Sequence, residues 1–157
     1  MRGPVDGRDP DSEHDREAAS VASRSARSQR EAELLSQLGA AADGQPQTYR
    51  LLVGVLLRDP DELEGLRAET VSPLMAYDSE HGTQLVVTLR EFLLHDGSTT
   101  ETAERMGLHR HTVGYRLARV QEVSGLSPYE SDGRERLSLG LKADQLLAAN
   151  ERLSSHE

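Results

Sequence analysis

Six side chains within ten consecutive residues could hold a polyanion: Arg110, His111, Thr112, Tyr115, Arg116 and Arg119. They lie in a stretch, Arg105 to Gln121, that contains four of the chain's 18 Lys+Arg, two of its 6 His and none of its 27 Asp+Glu. The whole chain carries a formal net charge of -9, so positive charge concentrates here. An acid-free basic element in an acidic chain is a candidate anion-facing surface, and the spacing of this element suggests that the anion is duplex DNA.

The spacing also separates the side chains by role. At about 100° per residue, Val113, Leu117, Val120 and Ser124 share about 60° of a helix surface and form an inner seam with Ala103 and Leu108. His111 and Tyr115 point the other way, toward base edges, while Thr112 can donate to a phosphate or meet a thymine methyl. Arg116 and Arg119 fall beside the seam, where a guanidinium positions a phosphate without reading sequence. Arg110 adds charge at the helix N-terminus, whose unpaired amides also suit a phosphate. Two alternatives stay open: packing of Tyr115 on a neighbouring helix, and an intramolecular ion pair at Arg116.

Other chemistries find no support. His109 and His111, two apart on a helix, would diverge by about 160°, and no cysteine joins them, so no metal is expected. No nucleophile elbow, phosphate-cradling glycine loop or zinc-protease signature is visible, so neither catalysis nor a cofactor is expected.

The elements that must hold the reader are legible around it. Ser98-Thr99-Thr100-Glu101 has the pattern of a reciprocal capping box, which starts a helix running to Met106. Gly107 follows where the chain must reverse, because glycine tolerates the left-handed backbone of such a turn. A second helix then begins near His109 or Arg110, with about 110–122 as the recognition helix. Upstream, Asp59-Pro60-Asp61-Glu62 reads as a second capping box, and Asp78-Ser79 as the cap of a helix carrying Leu85, Leu89, Phe92 and Leu93 on one face. Tyr49 to Leu57 is apolar nearly all round, which suggests a buried helix. Downstream, a last helix starts at Ser131 or Asp132 and runs through Leu137, Leu141, Leu146 and Leu147 to about Asn150.

The run Gly107-Leu108-His109-Arg110-His111-Thr112-Val113-Gly114-Tyr115-Arg116-Leu117, with Arg119-Val120 and Gly125-Leu126 after it, resembles the C-terminal helix-turn-helix of PucR/CdaR-type bacterial transcriptional regulators. Leu74 to Asp78, Glu80 to Thr83, Thr88-Leu89 and Phe92-Leu93 are similar to the segment leading into that motif, so the likeness covers roughly residues 47 to 149. Two positions depart from it: the family usually has Asn at His111 and Arg at Gly114. Both would face DNA, so the family's operator preference does not carry over. The resemblance also implies a sensory or GGDEF-like region upstream, for which this chain is expected to be too short.

Composition sets the remaining bounds. A length of 157 residues suits one domain of about 100 residues plus a tail. There is no Cys, which fits a reducing cytoplasm. Aromatic content is 3%, leaving Leu, Val and Ala to build a core that favours helices. No apolar run approaches about 18 residues, so no membrane contact is expected. Residues 1–30 have too little apolar surface to offset ordering entropy and read as a disordered tail, with Arg24, Arg27 and Arg30 either solvated or brushing phosphate. Residues 31–46 read as a marginal helix and linker, 47–150 as the folded domain and 151–157 as a second tail.

The expected protein is therefore an all-α helical bundle containing a helix-turn-helix, with a disordered N-terminal tail. Its expected function is sequence-specific DNA binding as a cytoplasmic bacterial transcriptional regulator. A homodimer through the leucines of the last helix, including Leu139, is expected to pair two readers on one operator. The alternative is a non-catalytic helical interaction module that pairs with full-length relatives and does not bind DNA alone.

Overall fold

Proline stands in the first turn of three successive helices, at Pro46, Pro60 and Pro73, where its missing N–H leaves no bond unmade. Each proline thus marks the start of a short helix, and successive helices pack on each other. The computed structural model describes residues 10–39 and 44–156. Among them are eight helices and no strand: α1 Pro10–Leu38, α2 Pro46–Arg58, α3 Pro60–Thr70, α4 Ser72–His81, α5 Leu85–Leu94, α6 Thr99–Met106, α7 Arg110–Ser124 and α8 Ser131–Ser154.

Helix α8 is the spine, and α1, α2, α3 and α5 all pack on it, α3 along the greatest length. That approach depends on Gly140, because a Cβ there would overlap the buried side chain of Thr70 in α3. The core falls into three contiguous parts. Leu34, Leu38, Tyr49, Val53, Leu56 and Leu63 surround Leu146 and Leu147 at one end. Val71, Leu74, Leu85, Leu89, Val120 and Leu126 surround Leu137 and Leu141 in the middle. Phe92, Ala103, Val113 and Leu117 seal α6 and α7 onto α5.

Several sequence expectations change. Residues 10–30, expected as disordered tail, are helical and continuous with the segment from 31, so α1 is a single rod ending at Leu38. Ala, Glu, Gln and Arg favour helix without needing a core, and the composition argument weighed burial alone; residues Asp11 to Gln29 are indeed exposed throughout. The expectation for residues 1–9 and for the linker at 40–43 falls outside the described residues. Arg30 is neither solvated nor free for phosphate, since it donates to Asn150 Oδ1 and Ser154 Oγ, both at 3.1 Å. Its partners lie in α8, which continues through the expected second tail to Ser154, with Leu153 packed on the core.

Helix α2 is amphipathic rather than buried all round, because Leu51 faces solvent at 73% exposure. Asp78 lies inside α4 and caps at a distance: its carboxylate accepts from Leu85 N at 2.8 Å, Val86 N at 3.0 Å and Thr83 Oγ1 at 2.5 Å. It thus serves the first amides of α5 across the turn at Gly82. Neither capping box is reciprocal. Ser98 Oγ accepts from Glu101 N at 3.2 Å, but Ser98 N donates to His95 O and the Glu101 carboxylate turns toward the His95 ring. Asp59 likewise accepts from Asp61 N, while Glu62 faces Arg58.

Candidate nucleic-acid interface

Helices α6 and α7 form the expected helix-turn-helix, and the turn is built from backbone bonds. Gly107 is left-handed at φ 64°, and Leu108 N donates back to Ala103 O at 2.9 Å, so the last carbonyls of α6 are satisfied as the chain reverses. His109 then caps α7 with its ring: Nδ1 accepts from His111 N at 3.2 Å, an arrangement that needs Nδ1 unprotonated. Val113, Leu117 and Val120 are fully buried, which orients the helix by fixing its inner seam.

The outer face holds the six sequence-derived residues, though not all are equally free. Arg110, His111, Thr112 and Tyr115 are exposed, Tyr115 at 65%. Tyr115 therefore does not pack on a neighbouring helix. Arg119 folds over it, with the guanidinium carbon 5.6 Å from the ring centroid and Nη2 donating to the phenol oxygen at 2.9 Å. Arg119 Nη1 also meets Glu122 at 2.6 Å. The Tyr115 hydrogen bond first, then Glu122, raise the Arg119 pKa above its ordinary value.

Arg116 reaches across to α5 instead of pairing with an acid. Its Nη1 donates to Thr88 Oγ1 at 3.2 Å and to Gln84 Oε1 at 3.3 Å. Thr88 is buried and donates to Gln84 O at 2.7 Å, so one hydroxyl joins α5 to α7. Gln84 was not singled out in the sequence, and Thr88 only as part of the segment leading into the resembled motif; one turn apart, they show their contact with Arg116 only once α7 is laid against them. Glu122 lies three residues past Arg119 and was within reach of helical spacing.

His109 and His111 differ from the diverging pair expected on one helix. His109 has extended backbone at ψ 143°, outside the helix, so the two rings meet edge to face with centroids 4.8 Å apart. Among the described residues no group of three His, Cys, Asp or Glu is arranged to hold a metal, and no helix is long and apolar enough to cross a membrane. Gly114, beside Tyr115, has open space where a Cβ would stand.

Residues 85–143, from the start of α5 into α8, match the PucR C-terminal helix-turn-helix domain. An uncharacterized protein in the pkwA 5' region of Thermomonospora curvata is 34% identical over 85 residues, 54% of this chain and 47% of that protein. The transcriptional activator PmfR of Paenarthrobacter nicotinovorans is 36% identical over 73 residues, 46% of this chain and 15% of PmfR. The proline-responsive transcriptional activator PutR of Bacillus subtilis is 35% identical over 68 residues, 43% of this chain and 16% of PutR. The chain thus spans less than half the length of these curated relatives. No solved structure matches it.

Proposed function

We propose, from the match of residues 85–143 to the PucR C-terminal helix-turn-helix domain and the likeness to two transcriptional activators, that this chain is a sequence-specific transcriptional regulator that inserts residues 110–122 in a major groove. The observation that carries this reading is the outer face of α7: exposed, free of acids from Arg110 to Gln121, and held opposite a fully buried seam. In it, Arg110 meets a phosphate beside the N-terminus of α7, whose His111 and Thr112 amides, expected to be unpaired, are already taken by the His109 ring and carbonyl. His111, Thr112 and Tyr115 reach base edges. Arg116 and Arg119 meet flanking phosphates as pre-oriented guanidinium groups, one braced by Thr88 and the other by Tyr115.

A homodimer on two half-sites belongs to this reading, since one short recognition helix contacts few base pairs. Its contact cannot be the leucines of α8 named from sequence: Leu137, Leu141, Leu146 and Leu147 are consumed by the core, and Leu139 is half-buried. A bacterial cytoplasmic location follows from the same reading. Selection from a random duplex pool with the purified chain tests it. Enrichment of a defined motif supports it, and no binding to any duplex at low salt overturns it.

One observation favours the second reading, a helical module that pairs with full-length relatives. Arg116 and Arg119 both already have partners within the chain. Mixing the chain with a full-length relative separates the two, because the module binds the relative and leaves duplex DNA alone.

A further inference from the structure

A groove of about 490 Å³ opens between the start of α2, the end of α5 and the middle of α8, and none of the six residues assigned to DNA lines it. Its described lining residues include two cations, Arg90 from α5 and Lys142 from α8, and no carboxylate. Arg90 Nε is buried without a hydrogen-bond partner, the one side-chain atom in that condition among the described residues. A guanidinium donor taken out of water is costly to leave unpaired, and native proteins rarely do so. Lys142 is held by a single side-chain bond, donating to Ser138 Oγ at 2.6 Å, and burial pulls its pKa below the ordinary lysine value.

The rest of the lining limits what can enter. Tyr49 donates to Gln145 Oε1 at 2.6 Å, which fixes a phenol at one edge of the groove. Leu93, Leu94 and Leu141 supply an apolar wall, and Leu94 stands 68% exposed at it. A bare inorganic anion would answer the charges and leave these leucines wet. A neutral apolar molecule would cover the leucines and leave two desolvated cations unmatched.

We infer that this groove is a binding site for a small amphipathic carboxylate, its carboxyl group taken by Arg90 and Lys142 and its aliphatic or aromatic body laid on Leu93, Leu94 and Leu141. The volume lies in the range of small-molecule sites, and a guanidinium matches a carboxylate with two parallel bonds. The site is independent of the DNA reading, because its lining and that of the α7 face share no residue.

The test is an amide-resolved NMR titration of the full chain with hexanoate and benzoate, beside hexanol, benzyl alcohol and inorganic phosphate. The carboxylates should shift the amides of residues 45–49, 90–94 and 138–145 and saturate at millimolar concentration. The alcohols and phosphate should bind roughly tenfold or more weakly. Arg90→Gln and Lys142→Gln should each weaken hexanoate by roughly tenfold, Arg90→Lys should recover part of the loss, and Arg58→Gln on the exposed surface should change nothing. If Arg90→Gln does not fold, Lys142→Gln carries the comparison, since that side chain is only half-buried. Shifts that map elsewhere, equal binding of alcohols and acids, or no saturable shift with any carboxylate would overturn the assignment.

Discussion

Thr88 of α5 pins α7 to α5: its buried hydroxyl donates to Gln84 O at 2.7 Å and accepts from Arg116 Nη1 at 3.2 Å. If Arg116 meets a phosphate, as proposed, its long side chain would otherwise lose rotamer freedom on binding. Here that freedom is already lost in the free protein. Charge and orientation at Arg116 are therefore separable by mutation.

Arg116→Ala should weaken all duplexes alike and lower the salt slope of binding by about one unit, the mark of one lost phosphate contact. Thr88→Val keeps the cation and removes one of its two braces, so affinity should fall while the slope stays. Fluorescence anisotropy across a salt series distinguishes them. Equal slopes for Arg116→Ala and the parent would take Arg116 off the phosphate.

Gly114→Ala should stabilise the fold by several tenths of a kcal/mol, because glycine within a helix is penalised by roughly 0.5–1 kcal/mol and no atom obstructs a Cβ there. Gly114→Arg should match it in stability and, in addition, tighten duplex binding with a steeper salt dependence. Denaturant melts and anisotropy supply the two readouts. Arg and Ala variants with identical DNA affinity would mean that position 114 faces away from the groove.

Gly140→Ala should destabilise by about 1–3 kcal/mol, since the added methyl overlaps Thr70 and must push α3 from α8. Gly65→Ala, in α3 with nothing near its Cβ, should stabilise by roughly 0.5–1 kcal/mol. Urea unfolding of the pair gives opposite signs. The same sign for both would show that helix propensity, not the α3–α8 approach, governs these positions.

Removing residues 1–29 should leave the melting temperature nearly unchanged, because the described residues of that segment are exposed. Removing residues 1–44 should not, because it takes Leu34 at 0% and Leu38 at 8% exposure out of the core. Leu34→Ala in the full chain should cost about 2–5 kcal/mol. Thermal unfolding followed by circular dichroism checks all three, and a cooperative melt that is unaffected by loss of residues 30–44 would detach α1 from the domain.

The all-α architecture, the reader's two helices, the turn at Gly107 and the inner seam were legible in the sequence because each rests on local physics. Helical periodicity, a left-handed glycine and the absence of acids between Arg105 and Gln121 act within a turn or two of chain. The exposure of Arg110, His111, Thr112 and Tyr115 followed from the same periodicity. It was silent on what else they touch. The anchoring of Arg116 on Thr88 joins residues 28 apart, and the close approach at Gly140 needs Thr70 of a different helix, so both exist only once helices are laid side by side. The fate of α8 was decided the same way. Leucines on more than one face looked like a surface for a second copy, yet four neighbouring helices of this chain cover them. A helix buried on several sides within its own domain and one that dimerises have the same pattern along the sequence, and only packing tells which neighbour removes the leucines from water.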